Sequence, residues 1–294
     1  MRITVFTPTY NRGYVIEQLY NSLKRQTFKN FEWIVVDDGS TDNTTEIFKK
    51  IQEENNFFKT IYIKTENGGK HRAINHGINY ANGKLFYIVD SDDYLPDNAL
   101  EIIDTVEKTI PDEVKNKFGG VCGIKGYQDG SFIGTTFSGD YLDITMLDRG
   151  KYNILGDKAE VFYTSLLKNY PFPEFSGENF ITEAIIWDRI AFDGYKLRFF
   201  NDITMICEYR SDGLSAQGED LLYRNPKGYG LYLSQRAIYR KLFGVDKWNA
   251  YLKFYYKLRQ KYSFNEIAGF LNISPIILWV RLFGLRLFYK IYDR

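Results

Sequence analysis

Four short runs rich in β-branched and aromatic residues, each followed by a helical pattern, constrain this chain more than any other feature. They are Ile3 to Phe6, Phe31 to Val36, Thr60 to Ile63 and Leu85 to Val89. The first helical pattern, Tyr14 to Gln26, puts Val15, Leu19 and Leu23 at four-residue spacing and its charged residues elsewhere, so one face is buried. Further helices are expected to start near Asp42 or Thr44, near Lys70 and near Pro96 to Asp97, where polar or proline start signals stand. The order β-α-β-α-β-α-β-α calls for an α/β fold with a parallel sheet and right-handed crossovers. Ligands of such sheets bind outside the carboxyl ends of the strands, so the loops after the four runs are where chemistry is sought.

From about Phe118 the pattern changes to glycine-rich strands and turns, then to a helical segment around Ile181 to Ala191, then to strand through Ile206. This half is expected to complete the sheet and form the acceptor side. Beyond Asn225 the chain becomes aromatic and basic, with Tyr229, Tyr232, Tyr239, Trp248, Tyr251, Phe254, Tyr255 and Tyr256 in helical contexts. The expected division is an α/β domain over 1–224, in two halves 1–110 and 111–224, and a helical region over 225–294. No internal repeat is visible.

Composition narrows the partners. Lys plus Arg (38) nearly cancels Asp plus Glu (37), so no overall field attracts a nucleic-acid backbone, and recognition of phosphate must be local. With 44% apolar and 26% charged residues the chain has the balance of a packed globular protein. Its two cysteines, Cys122 and Cys207, sit in separate apolar stretches, as core-filling residues in a reducing cytosol would. Met1 to Phe6 runs straight into a turn without the apolar stretch of a signal peptide, so a cytoplasmic protein is expected.

Each strand end carries groups suited to a nucleotide. The first loop, Thr7-Pro8-Thr9-Tyr10-Asn11-Arg12, offers a ring on which a base could stack and a guanidinium for a phosphate or ribose edge. The second run ends Val35-Val36-Asp37-Asp38-Gly39-Ser40-Thr41-Asp42, where Asp38 could accept a base N–H and Asp42 caps the next helix. The stretch Asn67-Gly68-Gly69-Lys70-His71-Arg72-Ala73-Ile74-Asn75 joins a glycine turn to a basic helix start, which favours an anion such as pyrophosphate. The two histidines, His71 and His76, lack a third ligand and make a poor metal site. The fourth run ends Val89-Asp90-Ser91-Asp92-Asp93, and carboxylates this close raise one another's pKa unless a cation joins them. Asp92 is the expected anchor of a hard divalent ion, with Asp90 beside it on ribose or metal-bound water; for Asp93 a plain cap of the following helix is the alternative reading. The candidate nucleotide-binding residues are thus Pro8, Thr9, Tyr10, Arg12, Asp38, Gly69, Lys70, Asn75, Asp90 and Ser91, and the candidate metal ligands Asp92 and Asp90.

Taken together, the segments Thr7 to Arg12, Val35 to Asp42 and Val89 to Asp93 resemble those of the family 2 glycosyltransferases, over roughly the first 110 residues. The resemblance implies the GT-A fold, a Rossmann-like three-layer α/β sandwich, here followed by a C-terminal helical appendage. By that likeness Tyr10 and Asp38 would hold the base, Asp90 the ribose or metal water, and Asp92 a Mn2+ or Mg2+ ion bridging both phosphates. It also implies transfer, with inversion, from a nucleoside-diphosphate sugar such as a UDP-sugar to a glycan or lipid-linked acceptor. A carboxylate base on a later helix is part of the likeness, and Glu183 in the stretch Ser176 to Arg189 is the matching choice, with Glu178 and Asp188 as rivals. A non-catalytic nucleotide-sugar-binding protein, or a nucleotidyltransferase with a similar sheet, stays open at this point.

The last segment, Pro275 to Tyr292, is dense in apolar residues yet holds Arg281, Arg286 and Lys290, too many cations for an ordinary spanning helix. It could lie peripherally on the inner face of the cell membrane near lipid-linked acceptors, pack on the catalytic domain, or pair with a second subunit.

Overall fold

The computed structural model describes residues 1–208, 210, 212–241 and 245–282. They form two compact units. The first comprises residues 1–172 and 190–211, the second residues 173–189 and 212–294.

The alternating pattern becomes, in the first unit, β1 (Ile3–Thr9), α1 (Ile16–Arg25), β2 (Phe31–Asp37), α2 (Thr44–Glu53), β3 (Lys59–Lys64), α3 (Lys70–Tyr80), β4 (Leu85–Ile88) and α4 (Ala99–Lys108). The chain continues through β5 (Phe118–Gly126), β6 (Leu142–Ile144), β7 (Lys158–Tyr163), a one-turn α5 (Thr164–Leu167), α6 (Ala184–Phe192) and β8 (Lys196–Ile206). The eight strands make one sheet in the order β3-β2-β1-β4-β7-β5-β8-β6. The first four run parallel to their neighbours, as expected, whereas β7 enters antiparallel between β4 and β5.

β1 and β2 are buried at every position because helices cover both faces, which is why they read as apolar runs without alternation. On one face Ile3 and Val5 pack with Leu19 and Leu23 of α1, Phe48 of α2 and Ile103 of α4. On the other, Phe6 stacks on Phe86 with ring centroids 5.1 Å apart. α3 comes so close there that a Cβ on Gly77 would lie 2.1 Å from the Phe6 ring. α1 ends where Gln26 turns extended; its buried side chain then donates to the Pro96 carbonyl (2.7 Å) and accepts the Leu100 N–H (3.1 Å), fixing the start of α4.

At the amino edge of the sheet, Glu107 is fully buried among four donors. Arg2 and Lys84 lie 2.8 Å away, the Tyr163 hydroxyl 2.8 Å and Lys115 3.2 Å. Burial by itself raises this carboxyl, but Lys84, Arg2 and Tyr163 outweigh it and hold it down at about 2.

The second unit holds the chain before β8 from Pro173 onward, including the start of α6, and then α7 (Gly218–Arg224), α8 (Pro226–Tyr239), α9 (Val245–Leu258), α10 (Phe264–Phe270) and a helical stretch at 275–282. Its own core joins Leu233, Tyr251, Phe254, Leu258, Ile267 and Leu278. Gly230 allows α8 to touch α10, since a Cβ there would meet the Phe270 carbonyl oxygen at 2.3 Å. Ser263 and Glu266 close a reciprocal capping box at the start of α10. Among the described residues no helix is long and apolar enough to cross a membrane. The apolar and basic residues of the last segment from Phe283 onward lie outside the described residues.

Candidate active site

Parallel pairing brings the expected loops to one edge. Thr9 at the end of β1 stands opposite Asp37 at the end of β2, Asp37 stands opposite Lys64 of β3, and Phe6 opposite Ile88 of β4. The loops after β1, β2 and β4 and the start of α3 therefore open on the same side, the carboxyl edge of a parallel half-sheet.

Asn11 takes a left-handed conformation (φ 52°) and laces the first two loops together. Its side-chain oxygen accepts the Thr41 N–H at 2.8 Å while its own N–H donates to Ser40 Oγ at 2.8 Å. Asp42 reaches both ways as well, accepting the Gly13 N–H (3.0 Å) and the Thr44 N–H (3.1 Å) at the head of α2, whose flanking residue is Asn43 and not, as expected, Asp42. Asp37 holds the turn by accepting the Ser40 N–H at 2.7 Å and the Tyr62 hydroxyl. This lacing leaves the Tyr10 ring 47% exposed at the mouth of the loop, free to take a flat partner. Behind it Pro8 and Thr9 are buried, and the Thr9 hydroxyl has no hydrogen-bond partner among the described residues.

Asp38 is buried, and its two oxygens accept the N–H groups of Gly68 and Gly69, each at 2.7 Å. Burial raises this carboxyl above its ordinary value, and the neighbouring Asp37 adds to the rise; the two glycine N–H groups offset only part of it. Gly69 has φ 95° and stands at the N-terminus of α3, a conformation that suits glycine and turns its N–H toward Asp38. The sequence alone did not reveal that the glycine turn serves Asp38. Asn75, farther along α3, spends its amide on the backbone of Phe172, donating at 2.9 Å and accepting at 2.8 Å, so it fixes that segment.

The acidic cluster after β4 is organised by cations the strand pattern did not announce. Lys70, the first residue of α3, places its ammonium 2.7 and 2.8 Å from the two oxygens of Asp90. Burial would raise the Asp90 carboxyl, but Lys70 first, then Lys125 and Arg12, bring it below its ordinary value. Asp92 goes the other way, raised by burial and then by the Asp90 charge. Asp93 is more buried still and is pushed up to about 7 by burial and by Asp90; the Cys207 thiol donates to it at 3.3 Å. It does not cap α4, whose flanking residue is Asn98. Lys125 is the one charge in the apolar strand Phe118–Gly126, and that isolation was the signal that could have found it.

The residues present can be tested against a divalent ion. Among the described residues no group of three or more His, Cys, Asp and Glu side chains is arranged as a complete cage. Two carboxylates of which one is raised by its neighbour, with an ammonium already drawn to the other, do fit an oxygen-seeking ion that takes its remaining ligands from phosphates.

Of the carboxylates weighed as base, all three belong to the second unit. Glu178 is buried and caps α8, accepting the N–H groups of Lys227 (2.7 Å) and Gly228 (2.9 Å). Asp188 is buried and pairs at 3.6 Å with Arg240. Glu183 is partly exposed and lies just ahead of α6, its carbonyl accepting the first helical N–H groups from Ile186 and Trp187; the helix begins at Ala184, three residues later than the pattern suggested.

A mixed eight-stranded sheet with a parallel half and an acidic turn after its fourth strand is the GT-A fold of glycosyltransferases. Residues 4–107 match the model of Glycosyl transferase family 2. Among relatives, Glycosyltransferase GlyG of Streptococcus pneumoniae serotype 4 is 38% identical over 101 residues, covering 34% of this chain and 33% of that protein. The GalNAc(5)-diNAcBac-PP-undecaprenol beta-1,3-glucosyltransferase of Campylobacter jejuni is 25% identical over 299 residues, covering 95% of this chain and 92% of that protein. The crystal structure of Staphylococcus aureus TarS 1-349 in complex with UDP-GlcNAc aligns with a TM-score of 0.62 at 21% identity, over 91% of this chain and 75% of that one. Similarity is thus strong over the first third of the chain and thin beyond it.

Proposed function

We propose that this protein is an inverting glycosyltransferase that takes a sugar from a nucleoside-diphosphate sugar, a UDP-sugar first among them, and delivers it to a hydroxyl of a glycan or lipid-linked acceptor in surface-glycan synthesis. The observation that carries this is the pairing of Lys70 with Asp90 beside Asp92 at the carboxyl edge. It supplies opposite charges at the place where a parallel sheet receives a diphosphate. The family match of residues 4–107 supports the same reading. So does the near full-length likeness to a transferase whose name specifies an undecaprenol-linked substrate.

In this reading the Tyr10 ring stacks on the base, and Asp38, oriented by the Gly68 and Gly69 N–H groups, accepts a base N–H with a remaining lone pair. Arg12 and Lys70 meet the phosphates, and Asp90 and Ser91 lie toward the ribose. Asp92 and Asp90 would hold a Mn2+ or Mg2+ ion, which when bound supplies positive charge to the departing diphosphate. Glu183 takes the proton from the acceptor hydroxyl. The acceptor oxygen then bonds to the anomeric carbon as that carbon's bond to the diphosphate breaks, so an α-linked donor yields a β-linked product. With Cys122 and Cys207 both buried and free of disulfides, we place the reaction in the reducing cytoplasm, at the inner face of the membrane.

The test is a panel of UDP-, GDP- and dTDP-sugars assayed for nucleoside diphosphate release with intact protein and with Glu183→Gln. The expected result is release from one donor class, falling about 10²- to 10⁴-fold in the variant while donor binding persists. Equal turnover in the variant removes Glu183 from the mechanism. Pyrophosphate release from a nucleoside triphosphate, with no sugar release, makes the protein a nucleotidyltransferase instead.

A further inference from the structure

We propose that the outward face of the helical stretch 275–282 is a docking surface for an anionic phospholipid membrane. The stretch is apolar on both sides. Its inner stripe, Leu278 and Leu282 at four-residue spacing, is buried in the core of the second unit. A helix seated in this way on a water-soluble protein normally shows polar residues to solvent. Here Ile276 is 74% exposed, and Ile277, Trp279 and Val280 are each more than half exposed. At 100° per residue Ile276, Ile277 and Val280 fall on the side opposite Leu278 and Leu282, with Trp279 on its flank, so the four form one continuous outer face, not scattered single residues.

Charge identifies the occupant. From Val245 to Arg294 there are nine Lys and Arg residues against three Asp and Glu, in a chain whose net charge is only +1. The cations therefore concentrate in the part of the sequence that carries this face, while the rest of the chain is net acidic. Arg281, on the flank of the exposed face, lays its guanidinium over the Trp248 ring of α9 at 5.3 Å from the centroid, which carries positive charge to the rim of the apolar patch. An apolar centre containing Trp within a basic surround is complementary to lipid chains below a layer of anionic headgroups. A second copy of the chain would bring the same cations against themselves, which like-charge repulsion disfavours.

The proposal stands apart from the glycosyl-transfer reading because it is measured by binding without turnover. Flotation of the full chain with vesicles of phosphatidylglycerol and phosphatidylcholine is compared with phosphatidylcholine alone. The intact protein is expected to float with the anionic vesicles, at least about tenfold more weakly with neutral ones, and to be released by high salt. Replacing Ile276→Ser together with Trp279→Ser should lower anionic-vesicle binding at least about tenfold, and Ile276→Leu with Trp279→Phe should restore it. Both positions are exposed, and an unchanged melting temperature confirms that the variants fold. Failure of the intact chain to float, or equal flotation of the Ser variant, overturns the proposal. So does a dimer in light scattering that the Ser variant abolishes while no vesicle binding is seen.

Discussion

Lys70 shows what a single side chain does at the carboxyl edge. Its ammonium sits between the oxygens of Asp90 and holds that carboxyl ionised against its burial. We expect Lys70→Met to weaken nucleoside diphosphate binding about ten- to hundredfold, the range for losing a charge-assisted contact, as measured by calorimetric titration. Unchanged affinity would mean that Lys70 serves only Asp90. The sequence disclosed the members of this site and not their pairings. Asp38, Asp90 and Asp92 were visible because an acidic group directly after an apolar strand has few purely structural uses. The bond from Gly69 to Asp38 spans 31 residues and the thiol contact from Cys207 to Asp93 spans 114, distances over which no local pattern carries information. For Glu178 the sequence left catalysis open, and the structure accounts for its carboxylate by the α8 N–H groups it caps.

At the scale of elements, the first four strands and helices were legible because each helix has one buried stripe, β1, β2 and β4 are buried almost throughout, and the edge strand β3 is a compact β-branched and aromatic run. β5 to β8 were not. The Gly-rich strand Phe118–Gly126 has no alternation to read, and nothing local announces that β7 inserts antiparallel between β4 and β5. Packing between elements leaves its mark on glycines instead. Gly77 lets α3 rest against Phe6 of β1, and any Cβ there collides with the ring. Gly77→Ala is expected to cost about 1–3 kcal/mol in denaturant unfolding, the usual penalty of overpacking, despite alanine's better helix propensity. A neutral or stabilising result would show that α3 can move off the sheet without loss.

Across the first unit as a whole, Glu107 joins Arg2 ahead of β1, Lys84 ahead of β4, Lys115 ahead of β5 and Tyr163 of β7. Its folded pKa of about 2 lies below the ordinary 4.5, so the unfolded chain binds more protons between those values. The stability it contributes is complete above about pH 4.5 and is lost as the pH falls through about 2. Glu107→Gln should therefore cost on the order of 3 kcal/mol at neutral pH and flatten the acid limb of the unfolding profile, read by chemical denaturation from pH 2 to 7. A variant with the same acid limb would place the acid sensitivity elsewhere.

The account as a whole turns on whether the turn after β4 grips a donor's diphosphate together with a divalent ion. The direct measurement is titration of UDP into the intact protein and into Asp92→Asn, each with and without Mn2+. The expected result is binding by the intact protein that tightens at least about tenfold with the ion, and loss of that gain in the variant. Equal UDP affinity in all four titrations would contradict it.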